Sequence, residues 1–221
     1  MKLGVYIVYL TCILICLIAA IIHRKELANR KVGFFIPYLL YIFIQETVFG
    51  ILSYTDPTFK TAVGYNLYRI LTVIIFAIFF CRVNFMKKFH RLITWSAAFF
   101  VVFSIVDHIF FEPITSASSI LNLVRGFILI FFGILFLASY MQIDSRKIEQ
   151  YWRPFLWITI GIVIFYPVVS IVIYLQTYLN AMSAMLGPFK LYQLIPQVMS
   201  IFMYSCFTYA FHLCRKIKEP I

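Results

Sequence analysis

The run LGVYIVYLTCILICLIAAIIHRKELANRK, residues 3–31, sets the reading of the whole chain: twenty uncharged, mostly apolar residues, then four arginines and lysines within eight positions. A helix needs roughly 20 apolar residues to cross the hydrocarbon of a bilayer. The apolar run is too long for the ~7–15-residue core of a secretory signal. The basic cluster after it offers no small-residue cleavage site, so the run is expected to stay as a first spanning helix.

The same alternation continues outward from this run. Six further apolar stretches follow, and the seven candidate spans cover about residues 3–22, 32–53, 64–81, 92–111, 121–142, 155–176 and 191–213. One set of connecting segments carries Arg24, Lys25, Arg30 and Lys31, then Arg82, Lys87, Lys88 and Arg91, then Arg146, Lys147 and Arg153, then Arg215, Lys216 and Lys218. The alternate set carries only Lys2, Lys60 and Lys190. Basic residues are retained on the cytoplasmic side of a membrane. The expected topology therefore puts the N-terminus outside and the C-terminus in the cytoplasm, in the inner (cytoplasmic) membrane.

Composition agrees with that class. The chain is 63% hydrophobic and 12% charged, unlike a soluble domain, and its net charge of +11 is an orientation signal rather than a nucleic-acid footprint. Seven spans and short connections use the chain as a single all-α transmembrane bundle, in which sequence neighbours are expected to pack as antiparallel pairs. Cys12, Cys16, Cys81, Cys206 and Cys214 lie within spans or at their basic ends and read as packing residues rather than a disulfide framework. Pro37, Pro167 and Pro196 fall inside the second, sixth and seventh spans, where each is expected to kink its helix. Trp95, Trp152 and Trp157 sit near basic helix ends and read as interfacial anchors. The segment 177–190, with Leu179, Met182, Met185 and Leu186, suits a short interfacial helix or a plain loop.

Ionisable residues inside spans are the candidates for function, because each costs on the order of 3 kcal/mol at the bilayer centre and faces a partner or a wet cavity. Here they are Glu46 in the second span, Arg69 in the third, Asp107 and His108 in the fourth and Arg125 in the fifth. With the topology as a depth ruler, all five fall in the outer third. Gln45, Thr47, Asn66, Asn122 and Gln193 lie at comparable depth, and Gln197 deeper. Two readings are open. The charges pair structurally, as Glu46–Arg69 and Asp107–Arg125, or they line an outward-facing ligand pocket with Asn66, Gln193 and Gln197. Arginine grips carboxylate or phosphate with a two-pronged fork, so Arg69 and Arg125 would anchor an anionic ligand group.

No catalytic residue is assigned. Asp107 and His108 are adjacent on a helix and point about 100° apart. A Thr47–His108 pair, as in intramembrane hydrolases, would lack an oxyanion site. The histidines and cysteines show no metal spacing, no glycine-rich phosphate loop is present, and no cofactor is implied. The expected function is a receptor or sensor that meets a small polar or anionic ligand from outside and signals through a membrane or cytoplasmic partner. The alternatives are a small-solute transporter using the same cavity and an intramembrane hydrolase.

Two repeats of local pattern are visible. The runs RKELANRKVGFF and RKIEQYWRPFLW follow the first and fifth spans, and LYRIL (67–71) resembles LYQLI (191–195), which would fit two three-helix units joined by the fourth span. The seven-helix plan is similar to that of microbial rhodopsins and G-protein-coupled receptors, but the seventh span has no internal lysine and the third ends in FFCRVNF rather than Asp-Arg-Tyr. With FIQETVFG in the second span, YNLYRILTVIIFAIFF in the third and LNLVRGFILIFFGILFLASYMQ in the fifth, the chain resembles a family of small, uncharacterised seven-helix integral membrane proteins common in Bacteroidetes. That resemblance implies a sensor component and assigns no catalytic residue.

Overall fold

The computed structural model describes residues 3–56, 61–116, 118–143, 146–182, 185–186 and 189–216. Its helices are α1 (Leu3–Ile22), α2 (Arg24–Asn29), α3 (Phe35–Thr55), α4 (Ala62–Cys81), α5 (His90–Phe110), α6 (Ser119–Tyr140), α7 (Arg146–Tyr174), α8 (Gln176–Ala181) and α9 (Leu191–Lys216). A 3₁₀ turn, Asn84–Phe89, joins α4 to α5. Seven of these helices (α1, α3 to α7 and α9) are long and apolar enough to cross a membrane, which makes this an all-helical, multi-pass membrane protein. The arginine and lysine clusters gather at one end, the basic end. The other, neutral end holds the connections between α3 and α4, α5 and α6, and α7 and α9. Of its three expected lysines, Lys2 and Lys60 lie outside the described residues, as does Lys218 of the opposite set.

Packing does not follow sequence order throughout. α7 packs most extensively on α9 and α6, α1 on α9 and α3, and α4 on α5 and α6. α3 and α4 are sequence neighbours, yet their backbones stand apart, contrary to expectation. Large side chains fill the space between them. Phe35 sits against Phe76 and Phe79, and the Tyr38 and Thr72 hydroxyls are 3.3 Å apart. α6 and α7 are the opposite case. Gly126 and Gly133, on one face of α6, let Ser170 and Val163 of α7 come so close that a Cβ on either glycine would collide with them.

The basic-end half is filled with aromatic rings. Phe35 meets six of them: Phe34, Tyr38, Phe76, Phe79, Phe207 and Phe211. Phe79 stacks on Phe155, and Phe80 packs on Phe132 and Phe136. Trp152 belongs to this core rather than to the interface, at 7% exposure, edge-on to Phe85 and Phe155. Trp95 is the exposed one, and Trp157 packs on Tyr209.

Local departures from the sequence reading have simple causes. Pro37 lies in the first turn of α3, where backbone N–H groups have no helical partner anyway, so it does not break that helix. α7 begins at Arg146 rather than near residue 155 and runs through Pro154. Its first turns are held from outside, since Arg30 donates to the Tyr151 carbonyl (2.5 Å) and stacks on the Tyr151 ring at 4.4 Å. Arg30 is thus a stitch as well as a topology signal. Pro167 and Pro196 do lie inside α7 and α9. In the segment 177–190, α8 ends at Ala181 and a two-residue ladder, Met185–Leu186 against Phe189–Lys190, follows.

Candidate functional site: a pair of buried arginines

α4 and α6 enter the bundle from the same end and pack on each other. Each carries the sequence Asn-Leu-x-Arg in its second and third turns, Asn66–Arg69 and Asn122–Arg125. At 1.5 Å per residue the two arginines lie about 10 and 9 Å along their helices, so the motifs meet at one level. The entry of α6 is set by Ser118, whose hydroxyl accepts from the Leu121 N–H at 3.2 Å as an N-cap.

The two motifs make the same internal bond. Arg69 Nη1 donates to Asn66 Oδ1 at 2.5 Å, and Arg125 Nη2 donates to Asn122 Oδ1 at 3.0 Å. A spacing of three puts donor and acceptor on one helix face. Both arginines are buried, at 5% and 4% exposure, and both asparagines are at 1%. Asn66 also donates through Nδ2 to the carbonyls of Ile114 (2.8 Å) and Ser116 (3.0 Å), which holds the α5–α6 connection down over the pair. Asn122 is tied to α7, because its carbonyl accepts from Ser170 Oγ at 2.9 Å. That bond depends on the absence of a side chain at Gly126.

Of the two readings, the structural pairs Glu46–Arg69 and Asp107–Arg125 do not form among the described residues. No carboxylate of the described residues is in ion-pair contact with Arg69 or Arg125, and each guanidinium leans on an amide instead. The charged neighbours of Arg69 are Arg125, a like charge, and Glu112 and Asp107, two opposite ones. Arg125 lies over two aromatic faces, Tyr166 at 5.3 Å and Tyr68 at 5.8 Å, a placement that stabilises a cation. Even so, buried polar atoms here lack a hydrogen-bond partner: Arg125 Nε, Asn122 Nδ2, Asp107 Oδ2 and the Tyr166 hydroxyl.

Glu46 belongs to a different group. Its carboxylate accepts from the Tyr65 hydroxyl at 3.4 Å, and its backbone carbonyl accepts from Tyr6. A carboxylate in a tyrosine cluster replaces the Glu46–Arg69 pair. The remaining candidates divide. Asp107 is buried beside the arginines at 3% exposure. His108, one residue on, turns to its own helix end, with Nδ1 3.1 Å from the Glu112 carbonyl. Thr47 donates to Phe43 of its own helix, so no Thr47–His108 pair forms. Gln193 donates to the neighbouring Tyr192 hydroxyl, and Gln197 is half-buried one turn deeper on α9.

Asn122, Tyr166 and Ser170 complete the arginine site and lie outside the candidate ligand set read from sequence. The signal for Asn122 is present in the chain, as the twin Asn-Leu-x-Arg; the alignment of 67–71 with 191–195 passes over it. Among the described residues no group of three His, Cys, Asp or Glu side chains is placed to hold a metal. Comparison of the chain with protein-family models, curated proteins and solved structures gave no match.

Proposed function

We propose that this protein is a receptor or sensor of the cytoplasmic membrane, with its basic end in the cytoplasm and its N-terminus outside. It takes a small polar or anionic ligand at the neutral, outward end. The bundle itself lies in the lipid bilayer, and the output passes to a membrane or cytoplasmic partner at the basic end. One observation carries the reading: Arg125 stacks on Tyr166, the residue immediately before Pro167 in α7. α7 in turn packs along nearly the whole of α9, which has its own interior proline. A change at the arginine pair therefore reaches the two helices whose hydrogen-bond ladders are already interrupted.

The phenylalanine layer beneath the site favours sensing over transport. A transported polar solute needs a lined route through the basic-end half, and the rings around Phe35, Phe79 and Phe80 supply none. Hydrolysis has no support from Thr47 and His108, which engage their own helices.

The test uses the full chain in lipid nanodiscs, with spin labels at exposed Met141 and His212 of the basic end. A panel of small anions, amino acids and sugars is added to the outward face. The receptor reading expects at least one class to shift the label distance, with the shift lost in Arg125→Gln. Solute accumulation in proteoliposomes that disappears in Glu46→Gln would replace it with the transporter.

A further inference from the structure

We infer that the twin Asn-Leu-x-Arg motif is a clamp for one phosphate group, held between the guanidinium groups of Arg69 and Arg125. This inference rests on the receptor reading for its role in signalling, but the binding site stands on its own geometry.

Two buried guanidinium groups at one level on packed helices, each bonded to an amide and to no carboxylate, form an unfavourable pair unless an anion sits between them. The protein itself places no carboxylate in contact with either. Asp107 and Glu112 are within electrostatic reach of Arg69 and balance the two arginines in formal charge, but neither carboxylate touches a guanidinium group. Each arginine spends one nitrogen on its asparagine, which fixes the fork while leaving other N–H groups for a ligand. Arg125 Nε and the Asn122 amide nitrogen, both more than nine-tenths buried, have donors with no acceptor. The unpaired acceptor beside them is Asp107 Oδ2, with the Tyr166 hydroxyl able to give or take a proton bond.

That inventory selects a chemical class. The donor excess asks for several acceptor oxygens on one group. Asp107 asks for a single hydroxyl in return. A carboxylate offers two oxygens in one plane and no hydroxyl. A phosphate monoanion offers a tetrahedral set for two forks and an amide, and its own P–OH for Asp107. The site lies within about 10 Å of the helix ends, a depth reached by a free phosphate-bearing solute or by the phosphomonoester headgroup of a lipid in the facing leaflet; a diester headgroup such as phosphatidylcholine has no P–OH to give. Asn66 controls entry: the bonds that hold the connection at Ile114 and Ser116 come from the same side chain that orients Arg69.

The experiment is thermal unfolding of the full chain in nanodiscs. One arm titrates inorganic phosphate into neutral phosphatidylcholine discs, with acetate and chloride at matched ionic strength. The other dopes the discs with phosphatidic acid and adds no phosphate. We expect a saturable rise in Tm in one arm, which identifies the source. Arg69→Lys and Arg125→Lys keep the charge and lose the fork, so each should weaken the apparent affinity by about tenfold or more. Glu46→Gln should leave it unchanged. The phosphate clamp is overturned if neither arm gives a saturable rise, or if both lysine variants respond like the wild type. Acetate acting through the same arginines where phosphate does not would overturn the clamp and keep the receptor. Phosphate binding that leaves the Met141–His212 label distance unmoved would keep the clamp and remove the receptor.

Discussion

The two halves of this bundle solve opposite problems. The basic-end half is a dry packing of rings, in which Phe35 alone contacts six aromatic neighbours. The neutral-end half buries two arginines, two asparagines and an aspartate, and leaves polar atoms of six of its described side chains (Gln45, Asp107, His108, Asn122, Arg125 and Tyr166) without partners. Among the described residues the first half leaves a single buried polar atom, His90 Nε2, without a partner, and so reads as structure. The second retains unmet hydrogen-bonding capacity in a place where it is costly, and that is the physical mark of a site. The difference teaches where substitutions should act on stability and where they should act on binding.

The largest expected effect is in the ring layer. Phe35→Ala should destabilise the protein by about 3 kcal/mol or more through lost packing, measured by thermal or denaturant unfolding in nanodiscs. A near-neutral result would mean that the layer is loosely filled, and the contrast between the halves would weaken. Next is the α6–α7 seam. Gly126→Val must push Ser170 away and should cost about 1–3 kcal/mol; it should also disturb the arginine site, because Ser170 would lose the Asn122 carbonyl.

Within the polar half, the two members of one motif should differ in sign. Asn122→Leu strips Arg125 of its acceptor and should cost about 1–3 kcal/mol. Arg125→Gln removes a buried charge that has no ion-pair partner, so unliganded stability should stay level or rise while ligand-induced stabilisation disappears. If both variants lose stability equally, the pair is structural glue and not a clamp.

The smallest effect lies at the basic end. Burial lowers the His23 imidazole below its ordinary value near 6.5; Glu26 opposes that, while His212 and Arg215 add to it. The folded state therefore binds its proton less readily than the unfolded chain does. This contribution is fully present above about pH 6.5 and is lost as pH falls through the folded value. His23→Gln should flatten that acid limb in a pH series of unfolding midpoints. An unchanged limb would assign it to another group.

Much of this architecture is legible from residues alone, and the particular failures are instructive. The number of spans, their order and the depth of each charge follow from apolar run length and from the placement of lysine and arginine. Both are properties of the chain taken one segment at a time. One reading pairs Glu46 with Arg69 because the two share a level, yet Glu46 meets Tyr65 and Arg69 meets Asn66. Trp152 was expected at the interface for its position along the helix, yet it turns inward to Phe85 and Phe155.

In each case the sequence gives a position along the helix and leaves the azimuth missing. A soluble helix marks its inner face with an apolar stripe, but here lipid and protein interior are equally apolar, so the stripe is faint and the facing direction goes unwritten. The sequence by itself determined seven apolar helices and the level of each buried charge along them. Only the tertiary structure decided which helix each charge faces, because that depends on where Gly126 lets two backbones close up and where Phe35 holds two others apart.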